Sequence, residues 1–205
     1  MMTKAEFDAA MKEMPLVAIL RGLSVSEVDG VCGVLADAGI TLLEVPLNTP
    51  NVAEVLKQVS RCLRPGQHFG AGTVLDLAGV QLTASLGGEF VISPNCDPEV
   101  IRGTKAAGML SMPGCLTATE CITAWKMGAD YIKIYPAGRM GPEYIKDIKA
   151  VVPMPFVAVG AVGAKNLKDF LSVCVGAGIG SALYKPGKTL DQIRSDAQAL
   201  VAAIR

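Results

Sequence analysis

The sequence predicts an α/β protein: a (β/α)8 barrel entered through a short helix. Two observations predict it. Short apolar segments of strand character recur at intervals of about 20 to 26 residues, the length of a strand-plus-helix unit. Between them lie helix-start signals and helix-ending glycines. Eight such units fit a chain of 205 residues, which is long enough to bury a substantial core. The strands are near-continuously apolar, as in a parallel sheet covered by helices, and this is the TIM-barrel arrangement. A doubly wound open sheet is the alternative. Against it, Gly70-Ala71-Gly72 opens no GxGxxG fingerprint, and eight even units exceed what a nucleotide fold needs.

Thr3 to Glu13 reads as the leading helix. The candidate strands are Leu16–Leu20, Leu42–Val45, His68–Ala71, Phe90–Ser93, Met109–Met112, Tyr131–Tyr135, Phe156–Val159 and Gly178–Ala182. Ser24-Val25-Ser26-Glu27 and Thr117-Ala118-Thr119-Glu120 fit capping boxes, and Asp97-Pro98 places a cap before a proline at the first helical position. Gly39, Gly87, Gly108, Gly128 and Gly176 stand where helices are expected to end. No linker, low-complexity stretch or shift in composition divides the chain, so residues 1–205 are expected to form a single domain.

Composition narrows the function classes. Hydrophobic residues make up 51% of the chain, yet no apolar run reaches the roughly eighteen residues of a membrane span. The first eight residues are amphipathic and carry acids, unlike a signal peptide. Formal net charge is zero and no basic cluster occurs, so neither nucleic acid nor a membrane is an expected partner. Six cysteines (Cys32, Cys62, Cys96, Cys115, Cys121 and Cys174) are scattered without a CxxC pair, which suits reduced thiols in a cytoplasmic protein. His68 is the one histidine. A transition-metal site usually wants two or more imidazoles or thiolates close together, so neither a metal nor another cofactor is expected.

One stretch organises the chemistry. In Tyr131-Ile132-Lys133-Ile134-Tyr135, strand alternation puts Tyr131, Lys133 and Tyr135 on one face and the isoleucines on the other. A lone strand lysine commonly points at water. Placed instead in a poorly solvated pocket, it loses basicity and becomes a nucleophile able to form a Schiff base with a ketone. Active sites of such barrels form at the C-terminal ends of the strands. Those ends carry Arg21, Glu44, Thr73, Pro94-Asn95, Pro113-Gly114, Lys133, Gly160 and Gly180-Ser181. Each has an ordinary structural use as an ion pair, a turn or a cap. Together, an arginine for a carboxylate, a lysine for the adjacent ketone and an acid for proton transfer suit a keto-acid substrate. The corners Val159–Gly163 and Gly176–Ser181 follow strands seven and eight, where many barrels bind phosphate through backbone N–H groups. Two other readings stay open: a phosphate-binding barrel isomerase or synthase that forms no Schiff base, and a non-enzymatic sugar-phosphate-binding module.

Ile19-Leu20-Arg21-Gly22, Gly70 to Leu75, Ser93-Pro94-Asn95, Pro113-Gly114 and Lys133-Ile134-Tyr135-Pro136 resemble the 2-keto-3-deoxy-6-phosphogluconate (KDPG) aldolase family, in order from about Leu16 to Tyr184. The resemblance implies a class I, metal-free aldolase on a (β/α)8 barrel, a homotrimer releasing pyruvate and D-glyceraldehyde 3-phosphate. It implies Lys133 and Glu44 as catalytic residues and Arg21 and Thr73 as carboxylate holders. Phosphate falls to Gly160, Ala161, Gly180 and Ser181, and the pocket wall to Asn95 and Pro113. Asn48 stands where the gluconate branch typically has arginine, and Val159 where it tends to have threonine. Both positions are similar instead to the galactonate branch, which recognises the opposite C4 configuration. The gluconate epimer and 4-hydroxy-2-oxoglutarate are the alternative substrates. Two departures stand out: Gly160-Ala161 replaces the common Gly-Gly, and Tyr135 replaces phenylalanine.

Overall fold

The computed structural model describes residues 1–204. Its centre is an all-parallel sheet of nine strands, in the order β5-β4-β3-β2-β1-β9-β8-β7-β6. The strands are β1 (Leu16–Ile19), β2 (Leu42–Pro46), β3 (His68–Gly72), β4 (Phe90–Ile92), β5 (Leu110–Met112), β6 (Gly114–Cys115), β7 (Ile132–Ile134), β8 (Phe156–Val159) and β9 (Gly176–Ile179). The expected count was eight, and the extra strand is the fifth one divided. Pro113 has no N–H to donate and separates β5, which pairs with β4, from β6, which pairs with β7. The ring closes across this break: Tyr131 N–H donates to Ser111 O (3.2 Å), Lys133 N–H to Pro113 O (3.0 Å) and Tyr135 N–H to Cys115 O (3.3 Å).

Helices α1 (Lys4–Glu13), α2 (Val28–Asp37), α3 (Val52–Cys62), α4 (Leu77–Ser85), α5 (Pro98–Ala106), α6 (Ala118–Lys126), α7 (Ala137–Lys149), α8 (Leu167–Leu171) and α9 (Leu190–Ile204) alternate with the strands. Their start signals operate as read. Thr117 and Glu120 complete a capping box, and the Asp97 carboxylate accepts from the N–H groups of Glu99 (2.8 Å) and Val100 (3.3 Å). The Ser24–Glu27 box forms too, but it caps a 3-10 turn, Val25–Glu27, that leads into α2. Gly39, Gly87, Gly108 and Gly128 all take positive φ after their helices. Gly176 does not: it begins β9, two residues before the expected start of that strand. A side chain there would overlap Met11 of α1, so a tertiary contact, not a helix end, accounts for this glycine.

Alternation divides the strands between the barrel interior and the side that faces the helices. Leu16, Ala18, Leu43, Val45, Ile132, Ile134, Phe156 and Ala158 face the helices. Val17, Ile19, Leu42, Phe90, Ile92, Tyr131, Val157 and Val159 fill the barrel, whose lower end α1 plugs with Phe7 and Met11. Phe7 meets Phe90 edge-on at 5.5 Å and Tyr131 at 4.8 Å between ring centres, and the Tyr131 hydroxyl donates to Asp8 (2.5 Å). The barrel is therefore closed with apolar and aromatic groups below Lys133. Above it the interior opens.

Candidate active site

Lys133 lies in the middle of β7 with its side chain inside the barrel, and only 7% of its surface is exposed. Its backbone N–H is held by Pro113 O, and its ammonium sits 5.2 Å from the centre of the Tyr135 ring. Glu44, in the middle of β2, is 2% exposed. Inward-facing glycine makes room for it: any Cβ at Gly72, on neighbouring β3, would overlap the Glu44 carboxylate. Among the described residues, Oε2 of Glu44 has no hydrogen-bond partner and no ion pair joins Glu44 to Lys133. An orphaned, buried carboxylate oxygen is a place where a ligand's polar group is wanted.

Burial dominates the electrostatics of both groups. It pushes the Glu44 carboxyl up to about 7, with the Lys133 and Arg21 charges pulling the other way. It also pulls the Lys133 ammonium below the ordinary lysine range; Arg21 adds to this and Glu44 opposes it. The result is a weakened acid and a weakened base in each other's field.

Both groups line one cavity of about 970 Å3, together with Ile19, Arg21, Thr73, Pro94, Tyr135, Val159, Gly178 and the loops 160–166 and 180–182. Arg21, exposed just past β1, donates through Nη1 to the Asn48 carbonyl oxygen and through Nη2 to the Thr73 hydroxyl (3.3 Å). Thr73 holds a positive φ of 55°, a strained state for a β-branched residue, and such strain clusters at functional sites. The Thr49 hydroxyl, buried, accepts from Gly22 N–H (3.1 Å) and fixes the turn that carries Arg21.

The loop after β8 has Gly160 and Ala161 both at positive φ, 95° and 54°. Asn166 clamps this corner: its amide donates to Ala161 O (3.0 Å) and its oxygen accepts from Gly163 N–H (2.9 Å). A Cβ on Gly163 would lie 3.3 Å from the Ala182 methyl, so the corners after β8 and β9 touch.

Of the residues singled out in the sequence, Arg21, Glu44, Thr73, Lys133, Val159, Gly160, Ala161, Gly180 and Ser181 line the cavity. Asn48, Asn95 and Pro113 do not. Asn48 reaches the cavity only through Arg21, Pro113 serves Lys133 through its carbonyl, and Asn95 is exposed in the loop after β4. Sequence reasoning missed Thr49 and Asn166. An asparagine three residues after a glycine corner, just before a helix, is a signal that could have found Asn166.

The comparisons with known proteins agree with this geometry. The chain is 41% identical over 194 residues to the probable 2-dehydro-3-deoxy-6-phosphogalactonate aldolase of Rhizobium meliloti strain 1021, covering 93% of this chain and 92% of that one. It is 39% identical over 196 residues to the 2-dehydro-3-deoxy-6-phosphogalactonate aldolase of Escherichia coli strain K12, covering 94% and 96%. The solved native KDPGal structure superposes with a TM-score of 0.90 at 39% identity, covering 93% of this chain and 94% of that one. The sequence profile of the KDPG and KHG aldolases matches residues 7–200, nearly the whole barrel with its plug helix. The chain belongs to the KDPG and KHG aldolase family.

Proposed function

We propose that the protein is a Schiff-base aldolase cleaving 2-dehydro-3-deoxy-6-phospho-D-galactonate to pyruvate and D-glyceraldehyde 3-phosphate. The observation that carries this reading is the buried Lys133 amine sharing a cavity with the buried, unpartnered Glu44 carboxylate. In the proposed reaction, neutral Lys133 adds through Nζ to the C2 ketone, and protonated Glu44 gives its proton to the carbinolamine hydroxyl, which leaves as water to give a protonated Schiff base. Glu44, now ionised, takes the C4 hydroxyl proton. The C3–C4 bond breaks, its electron pair flows toward the iminium nitrogen, and the aldehyde departs from an enamine. Protonated Glu44 then returns a proton to C3, and water releases pyruvate and the free amine. Arg21 and Thr73 hold the carboxylate in this scheme. Gly160, Ala161, Gly180 and Ser181 hold the phosphate through backbone N–H groups, and Val159 faces the C4 substituents.

The galactonate epimer is favoured by the names of the two relatives at 39% and 41% identity, and by Asn48 and Val159. The family resemblance further suggests one domain over residues 1–205, working in the cytoplasm as a homotrimer; sedimentation equilibrium measures the last. Borohydride with pyruvate tests the chemistry: wild type should gain one reduced pyruvyl adduct by intact mass and Lys133→Met none. An adduct that persists in Lys133→Met removes the lysine from this role. Cleavage of the two C4 epimers side by side tests the substrate, and equal kcat/KM values would refute the assignment to galactonate.

A further inference from the structure

Lys188 lies between β9 and α9 and does not line the active-site cavity. Its side chain is only 13% exposed. The ammonium donates to three successive carbonyls, Ser181 O (3.3 Å), Ala182 O (3.2 Å) and Leu183 O (3.1 Å). It also pairs with Asp196 of α9 at 2.5 Å. This one cation therefore ties the loop after β9 to the helix behind it. From within the loop, Gly180 O accepts from Leu183 N–H (2.8 Å) and Tyr184 N–H (2.9 Å), which orders the same turn.

The consequence follows from peptide geometry. A trans peptide is planar, with C=O and N–H pointing opposite ways. Holding Ser181 O toward Lys188 aims the N–H of Ala182 away from it. Ser181 and Ala182 line the cavity, and among the described residues their N–H groups donate to no protein acceptor. We infer that Lys188 is a positioning residue for the substrate's phosphate: its grip on Ser181 O aims the free Ala182 N–H into the cavity, its grip on the next two carbonyls fixes the turn whose N–H groups hold Gly180 O, and the free Ser181 N–H opposite Gly180 O completes a preformed anion cradle. The inference rests on the reading that the Gly180–Ser181 corner takes the phosphate. Lys188 acts through the backbone and touches no substrate atom. Asp196 acts one step further back by holding the ammonium in place.

The test compares phosphorylated with unphosphorylated 2-dehydro-3-deoxygalactonate in wild type, Lys188→Met and Asp196→Asn, with pyruvate release as the readout. In Lys188→Met, KM for the phosphorylated substrate should rise about tenfold, the scale of one to two lost hydrogen bonds. Its kcat, and kcat/KM for the unphosphorylated substrate, should stay within about twofold. Inhibition by inorganic phosphate should weaken in parallel, and Asp196→Asn should move the same way by less. A purely structural role would lower both substrates together, so an unchanged ratio in Lys188→Met overturns the inference. If that variant does not fold, an unchanged ratio in Asp196→Asn does the same. The underlying reading fails separately, in wild type, if phosphorylation brings no gain in kcat/KM.

Discussion

Replacing Glu44 with glutamine should remove most activity and yet leave the protein more stable on the alkaline side. Burial pushes the Glu44 carboxyl from an ordinary value of 4.5 up to about 7. That displacement corresponds to about 3 kcal/mol. The sign follows from proton counting. Between the two values the unfolded chain has lost a proton that the folded chain still holds. Stability is thus full below the unfolded value and is lost as pH rises through the folded one. From about pH 5.5 to about pH 8.5 the wild type should lose roughly 2 kcal/mol relative to Glu44→Gln, which has no proton to lose there. Lys133 reinforces the trend: without the Glu44 charge its ammonium is weakened further, and its burial penalty lifts earlier on the alkaline side. Urea unfolding at fixed protein concentration, followed through the single tryptophan, Trp125, reads the difference. The gap between the two midpoints should widen from about pH 5.5 to about pH 7.5 and level off above that. A gap independent of pH would refute the claim that burial holds this carboxyl protonated. The kinetic counterpart is a loss of about a hundredfold to ten-thousandfold in the variant.

Two further substitutions probe the backbone around these groups. Gly72→Ala would drive a methyl into the Glu44 carboxylate, the free end of a side chain that can swing aside. It should therefore lower kcat by more than about tenfold with little change in unfolding midpoint; a variant with normal kcat would show that the carboxylate's position is not critical. Ala161→Gly relieves a left-handed residue with φ of 54°. Melting temperature should rise by about 2–4 °C, the equivalent of about 1 kcal/mol in a chain of this size. A fall in melting temperature would mean the Ala161 methyl contributes packing that outweighs the strain.

What could be read before the structure was local or periodic. A two-residue alternation is enough to put Lys133 with Tyr131 and Tyr135 on the face opposite Ile132 and Ile134, because strand geometry depends on neighbours only. Recurrence of strand-sized and helix-sized segments is likewise sufficient for a barrel, and a barrel places Arg21, Glu44, Thr73 and Lys133 at one rim. The positions whose structural part the sequence does not reveal all depend on contacts between distant segments. Gly176 looks like a helix end until Met11 of the plug helix arrives beside it. Pro113, expected at the pocket wall, also divides a strand and offers its carbonyl to Lys133, twenty positions away. Asn48, expected at the substrate, also holds Arg21, a contact its own segment does not announce.

Residue types and their order along the chain determined which groups could do chemistry: one lysine, one carboxylate and one arginine within apolar or glycine-rich surroundings. Only the tertiary structure decided how those groups behave. The carboxylate is weakly acidic because burial strips water from it in the space that Gly72, on another strand, leaves for it. The amine is weakly basic because the closed barrel removes water from around it. Desolvation depends on everything packed around a group, and most of that packing comes from far away in the sequence.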